Sequence, residues 1–262
     1  MNSALLYCWS INNRVTQVAE YAGANLTTDG GSNAGFVFIM GGTGAVPETM
    51  ETELVKAGVP ENKIKRFQGA NRYETNLEVL KFYSSAIGEQ LEYVMVCSGK
   101  DYADALSASA FGEPILLVGD KLTDAQRAFI EENGIVYVDI AGGEAAVSAE
   151  IEAELKVYAP GDDGVWRFGG SNRYGTSKAL AEYGLEYGDF ESDNIVLAYG
   201  MNYPDGLSCA PICFMNSAPL LLATTSAVGS ASEYAHAVGV KYAFVMGGTT
   251  LISDAAALST VQ

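Results

Sequence analysis

The sequence predicts an α/β protein built from tandem modules, and three observations carry that expectation. The first is repetition. Arg66-Phe67-Gln68-Gly69-Ala70-Asn71-Arg72-Tyr73-Glu74-Thr75 returns 101 residues later as Arg167-Phe168-Gly169-Gly170-Ser171-Asn172-Arg173-Tyr174-Gly175-Thr176. Ser98-Gly99 to Asp104-Ala105-Leu106-Ser107 returns at the same spacing as Tyr199-Gly200 to Asp205-Gly206-Leu207-Ser208. A third block occurs three times, as Ile39-Met40-Gly41-Gly42-Thr43, Ile140-Ala141-Gly142-Gly143-Glu144 and Val245-Met246-Gly247-Gly248-Thr249. Repetition at a fixed period marks arrayed modules. The second observation is that short, continuous, β-branched apolar runs alternate with helical stretches. Continuous runs fit parallel strands buried on both faces, with helices as crossovers. The third is that 262 residues with 48% hydrophobic content can bury a large core.

Each element follows in order. Arg66-Phe67 forms a short strand, and a helix begins near Thr75. The strand Tyr93–Cys97, a helix from Asp104 and the strand Pro114–Val118 come next. Thr123-x-x-Gln126 has the capping-box pattern, in which side chain and backbone of the first turn satisfy each other, so a helix opens at Thr123. The strand Ile135–Ile140 precedes a helix with Val147, Ile151 and Leu155 on one stripe. The following repeat keeps this order, with four more residues between Asp205 and Pro219 than between Asp104 and Pro114. Four residues are close to one helical turn, so the helix from Asp205 is expected to be one turn longer. Residues 1–65 match only the back half of a module: Ser3–Tyr7 resembles Ser217–Leu221, and Phe36–Val46 resembles Ala243–Ile252. The expected organisation is a partial module at 1–65 and complete modules at 66–166 and 167–262. The joints near Lys65 and Val165 are short, so the modules should pack together. The half-module would leave an apolar edge, favouring docking on its neighbours or a homo-oligomer.

Composition excludes several functions. Fifteen basic against thirty-two acidic residues give a formal charge of −17. Such a surface repels phosphate backbones, which argues against nucleic-acid binding. No run is long and apolar enough to cross a bilayer, and residues 1–30 lack the pattern of a signal peptide. Cys8, Cys97, Cys209 and Cys213 read as four buried free thiols, and His236 is the lone histidine, so zinc spacing and a catalytic triad have no support. No cofactor is expected.

Together, Arg66…Gly69…Arg72-Tyr73-x-Thr75, Ser98-Gly99…Tyr102-Ala103-Asp104-Ala105-Leu106-Ser107, Pro114-Ile115-Leu116-Leu117, the closing Gly142-Gly143 and their counterparts resemble the type 2 cell-wall-binding repeat of Gram-positive, clostridial-type surface and S-layer proteins. The resemblance spans essentially the whole chain. It implies Rossmann-like or Toprim-like modules, normally three, assembled with pseudo-threefold symmetry. It also implies an extracellular, wall-associated protein that binds an anionic teichoic-acid-like polymer without catalysis. The chain departs from the pattern in its truncated first copy and in Gly206, which stands where the other copy has Ala105.

Two readings stand for the repeated residues. Arg66, Arg72, Arg167 and Arg173 present planar forks of donors suited to phosphate. Alternatively they pair with acids, such as Asp104 and Asp205, and tie modules together. Asp104 and Asp205 could contact ligand at the carboxyl end of a sheet or cap a helix. Tyr73 and Tyr174 could stack on sugars or fill core, and Thr75 and Thr176 look like helix caps. The Gly-Gly pairs could expose N–H groups to phosphate or simply make tight turns. Attraction of an anionic polymer needs local use of the arginines, or divalent cations bridging acid to phosphate. The competing functions are a structural or adhesive module without polymer binding and an α/β enzyme acting on a phosphate ligand.

Overall fold

The computed structural model describes residues 13–26, 35–88, 90–191, 193–224 and 228–261. Cys8 and the Ser3–Tyr7 match lie outside them. The chain divides into two units, one reaching to Tyr83 and the other running from Ser84.

In the first unit, α1 (Asn13–Leu26) places Val15, Ala19 and Ala22 on one stripe, and these pack with Met50 and Leu54 of α2 (Thr49–Lys56). Between the helices runs β1 (Val37–Met40), which pairs in parallel with β2 (Ile64–Phe67) in the register Val37↔Ile64 to Met40↔Phe67. The chain then enters α3 (Arg72–Ile87).

The second unit holds two parallel sheets. One consists of β3 (Tyr93–Ser98), β4 (Ile115–Val118), β5 (Tyr137–Ala141) and β6 (Val165–Phe168), in the order β4-β3-β5-β6. The other consists of β7 (Asn194–Tyr199), β8 (Leu220–Ala223) and β9 (Tyr242–Met246), in the order β8-β7-β9. The helices are α4 (Ala103–Ala108), α5 (Asp124–Asn133), α6 (Ala149–Tyr158), α7 (Arg173–Tyr187), α8 (Pro204–Leu207), α9 (Ala210–Met215), α10 (Gly229–Val238) and α11 (Asp254–Leu258). The fold is mixed α/β, with short parallel sheets flanked by helices. Helix α7 serves both sheets. Its Leu180 joins Met95, Cys97 and Ala141 under the first, while the adjacent Ala181 joins Ile195, Leu197 and Leu221 under the second.

The continuous apolar runs of β3, β7 and β8 are buried along nearly their whole length, as parallel central strands should be. The capping box at Thr123 is formed with Gln126, and Val147, Ile151 and Leu155 are buried, although Val147 precedes α6.

Several local expectations are corrected. Helices α3 and α7 begin at the arginine, because Asn71 and Asn172 accept first-turn N–H groups at 3.0 Å. Thr75 and Thr176 are therefore not caps; their hydroxyls lie inside the first turn and accept Gly69 N–H (3.0 Å) and Gly170 N–H (3.2 Å). Neither is Asp104 the cap of α4. The Asp101 carboxylate takes Tyr102 N–H at 2.6 Å and Ala103 N–H at 3.3 Å. The four extra residues do not lengthen one helix. They convert the 3-10 turn Ser109–Phe111 of the first copy into the separate α9, where Pro211, lacking an N–H, sits at the start rather than inside a continuous helix. The segments around Lys65 and Val165, where the sequence repeat restarts, are themselves part of the sheets. Both lie in strands, β2 and β6, hydrogen-bonded to the sheet of the preceding copy.

Candidate functional site

The repeated residues gather at the carboxyl ends of the strands, where open α/β sheets place their ligands. Gly142 ends β5 with φ +118°, and its equivalents Gly41 and Gly247 have φ +121° and +119°. Only glycine adopts this region readily. The Gly142 N–H donates to Phe168 O at 2.7 Å, and the Gly41 N–H to Phe67 O at 2.8 Å. These donors belong to the sheet and are not offered to a phosphate.

The turn carbonyls receive the first repeated arginine. Arg167, on β6, donates to Gly142 O at 2.9 Å and through Nε to Glu152 of α6 at 2.7 Å. Arg66, on β2, donates to Gly41 O (2.7 Å), Val46 O (2.9 Å) and, with two nitrogens, to both oxygens of Glu51 (2.6 Å). These side chains are 17% and 11% exposed. Arg66 holds the Glu51 carboxyl below the usual carboxylate range. Glu152 is lowered too, by its bond to Lys156 first and by Arg167 as well.

The second repeated arginine is placed differently. Arg173 opens α7 and donates to Gly200 O at 2.6 Å, to Tyr102 Oη at 3.0 Å and to Asp101 at 2.9 Å. Its guanidinium lies 5.3 Å from the Tyr102 ring centre. It thus ties the loop after β3 to the loop after β7, within the second unit. Its counterpart Arg72 is exposed at the start of α3, and Tyr73 beside it is half-buried. Tyr174 packs over Gly200, where an added Cβ would stand 2.7 Å from its ring. Arg66, Arg167 and Arg173 pair with Glu51, Glu152 and Asp101, and not with Asp104 or Asp205.

Asp104 lies beneath the Gly142 turn and accepts the hydroxyl of buried Thr176. Burial, reinforced by the Asp101 charge, pushes its pKa up to about 6. Asp205 repeats the placement: a Cβ on Gly247 would meet its carboxylate at 2.7 Å, as one on Gly142 would meet Asp104 at 2.6 Å. A carboxyl whose folded pKa is raised binds a proton more tightly in the folded state. Its contribution to stability is therefore full below about pH 4 and is lost as pH rises through about 6. Asp104→Asn is expected to raise the free energy of unfolding at pH 7 by about 1–2 kcal/mol, as read by denaturant titration. The gain should vanish near pH 4, and an equal gain at both pH values would contradict the burial argument.

Sequence reasoning missed the acids that answer the arginines, because Glu51 and Glu152 sit on helix surfaces among many others. They stand fifteen residues before Arg66 and Arg167, and only that shared spacing marks them. It also missed an aromatic corner at the opposite end of the first sheet. Trp166 and Tyr187, 37% and 56% exposed, meet edge to face at 6.0 Å. Tyr183 stacks on Phe168 at 4.1 Å, and buried Asp139 accepts the Tyr93 hydroxyl at 2.9 Å. No cluster of three or more metal-ligating side chains occurs among the described residues. Among them, too, no helix is long and apolar enough to cross a membrane. Cys97, Cys209 and Cys213 are buried free thiols, and His236 is exposed on α10.

Comparison with known proteins bears on these repeats. The chain is similar to the N-acetylmuramoyl-L-alanine amidase LytC of Bacillus subtilis, 28% identical over 208 residues, covering 77% of this chain and 39% of the amidase. Among solved structures, Cwp8 from Clostridium difficile is 26% identical with a TM-score of 0.69, over 85% of this chain and 37% of that one. Cwp6 from Clostridium difficile has a TM-score of 0.72 at 18% identity, over 95% of this chain and 41% of that one, a likeness of fold alone. The chain spans about two fifths of the length of each of these relatives. The family described as cell wall binding domain 2 matches residues 66–152 and 167–257, each stretch opening on the Arg-Phe strand and containing one Asp-x-Leu-Ser helix. Since these stretches make up more than half of the sequence, the chain belongs to the cell wall binding domain 2 family.

Proposed function

We propose that this chain is a non-catalytic anchor that holds a larger protein, outside the cell, on an anionic, teichoic-acid-like polymer of the wall. Family membership across both repeats is the observation that carries this reading. Arg72 and Arg173, with Tyr73 and Tyr174 beside them, meet the polymer at the start of α3 and α7. The Arg173–Asp101 pair is partly exposed, and such pairs contribute only about 0–1 kcal/mol, so an incoming phosphate can take the place of Asp101. Arg66 and Arg167 act at one remove, by holding the Gly-Gly turns; Asp104 and Asp205 sit under those turns and shape the same loops. The half-exposed faces of Trp166 and Tyr187 suit the sugar rings of the polymer. Bridging divalent cations would offset the charge of −17.

The test is cosedimentation with purified Gram-positive walls before and after extraction of their anionic polymers. Binding lost on extraction is the expected result. Binding that survives extraction would move the ligand to the remaining glycan and peptide. Absence of binding by a folded protein would favour a display module, a reading supported by the internal pairing of Arg66 and Arg167.

A further inference from the structure

Two aromatic corners, one in each unit, occupy equivalent sequence positions and differ in what fills them. In the first copy Phe36, Phe38, Phe67 and Phe82 meet on one face of β1 and β2, with neighbouring ring centres between 5.1 and 5.8 Å apart. The chain's own ammonium groups lie over these rings. Lys63 Nζ is 4.3 Å from the Phe36 ring centre, and Lys65 Nζ is 3.9 Å from that of Phe82. Neither lysine has a carboxylate partner among the described residues, whereas Lys56, Lys81, Lys100, Lys156, Lys178 and Lys241 all do. The second copy inverts this chemistry. At the positions of Lys63, Lys65 and Phe82 it has Gly164, Trp166 and Tyr183. No cation stands over the Trp166, Tyr183 or Tyr187 ring among the described residues. Acids arrive instead. Asp139 replaces Phe38, accepts the Tyr93 hydroxyl and has Tyr183 as a second phenol. Asp189, just past the end of α7, adds its charge to the same corner, acting on both Asp139 and Tyr183. The corner also lies at the carboxyl-terminal end of α7, where the helix dipole contributes negative potential.

We infer that the Trp166 corner is a binding site for an ammonium group, carried by an amino sugar of the wall polymer. The first copy displays the arrangement that satisfies such a corner, an ammonium over aromatic rings. The second copy has lost both lysines and gained acids, so the missing cation comes from the ligand. It also offers a stronger ring, because tryptophan attracts a cation best among the aromatic side chains. The exposed rings are wider than a bare ammonium requires. Trp166 and Tyr187, 37% and 56% exposed, meet at an interplanar angle of 88° and form two walls at right angles. One wall takes the apolar face of a pyranose and the other its amino group. Arg173 stands at the opposite end of the same helix, about 21 Å away at about 1.5 Å per residue. The two ends of α7 thus divide the polymer by charge, phosphate at the start and ammonium at the end. This inference rests on the reading of the chain as a wall-polymer anchor. It adds to bridging cations a second answer to the charge of −17, since a polymer that carries ammonium groups is attracted by such a surface.

Methyl glucosaminide, its N-acetyl form and methyl glucoside, each titrated against the whole chain by ligand-observed NMR, test the assignment. The amine is expected to bind saturably in the millimolar range, about fivefold more tightly than either uncharged glycoside, the scale of a cation–π contact at a half-exposed ring. Trp166→Ala should erase that preference. Trp166→Lys, which restores the first copy's own ammonium, should erase it too, and thermal unfolding checks that both variants remain folded. Equal affinity for the three glycosides, or no saturable binding of any, would overturn the proposal. So would an amine preference that persists in the folded Trp166→Lys protein, which would trace it to general attraction by the acidic surface. An N-acetyl-lysine amide that binds as tightly as the amino sugar would also overturn it, pointing to a protein partner. Cosedimentation with walls reads the polymer separately. Wall binding without amine preference would remove this site and leave the anchor; a Trp166-dependent amine preference without wall binding would keep the site and remove the anchor.

Discussion

Gly142→Ala is expected to destabilise the second unit by about 3–5 kcal/mol, more than any other single methyl group added at these turns. Two effects coincide there. The backbone at φ +118° is strained for any residue with a side chain, by about 1–3 kcal/mol. The new Cβ would stand 2.6 Å from the Asp104 carboxylate and 2.9 Å from Ala146 Cβ, an overpacking of similar magnitude. Relief would require moving the turn whose carbonyl receives Arg167, so the Arg167–Glu152 contact is disturbed as well. The neighbouring Gly143 supplies the control. An added Cβ there meets nothing closer than Gly170 O at 3.7 Å, and its φ is not positive, so Gly143→Ala should change stability by less than about 1 kcal/mol. Thermal unfolding of the two variants checks the contrast. At about 2–4 °C per kcal/mol for a unit of this size, the midpoints should differ by about 10 °C. Equal midpoints would show that the turn relaxes freely and that the glycine pair has another purpose.

The second large effect is on binding. Arg72→Ala combined with Arg173→Ala is expected to abolish cosedimentation with walls while leaving the protein folded. Arg173 is only 24% exposed, and its loss removes bonds to Gly200 O and Tyr102 Oη, so a modest fall in stability accompanies the change. Arg173→Lys separates the two contributions. It keeps the charge but loses the planar fork, so intermediate binding is expected if the arginine grips phosphate in two places. Binding that persists in the folded double variant would remove these arginines from the polymer contact and leave the aromatic corner at Trp166 and Tyr187 as the surface to alter next.

Local patterns in the sequence were sufficient wherever one segment determined its own structure. Tyr93–Cys97 and Asn194–Tyr199 are buried on both faces through their interiors because Val94–Cys97 and Ile195–Ala198 are unbroken apolar runs. Thr123 and Gln126 form their box because both partners lie within one turn. The expectation failed where the deciding partner was remote or the competition close. At the start of α3 and α7, an asparagine four residues before the threonine won the capping position. Its short amide reaches two N–H groups at once, and the threonine hydroxyl was left for the glycine N–H behind it. Asp104 looked like a cap because it precedes small residues, but Asp101, three positions earlier, holds the exposed first-turn donors. The arginine clusters were legible as repeated residues but not as to their partners. Glu51 and Glu152 are surface-helix acids by pattern, and only the parallel pairing of β1 with β2 and of β5 with β6 brings them to Arg66 and Arg167.

The exchange of the Arg-Phe strand has a consequence for how such chains can be recombined. The unit that repeats in the gene begins at Arg66 and again at Arg167, but β2 and β6 complete the sheet encoded before them. A crossover at that boundary would give one product a sheet lacking its last strand and the other a strand without a sheet. A crossover after the helix, between Tyr187 and Asn194, would divide the sequence where no strand pairing is severed. Inheritable copies and self-sufficient folding units are thus out of phase by one strand and one helix. Lineages that gain or lose copies intact should show their breakpoints in that short stretch between α7 and β7, not at the arginine that marks the repeat by eye.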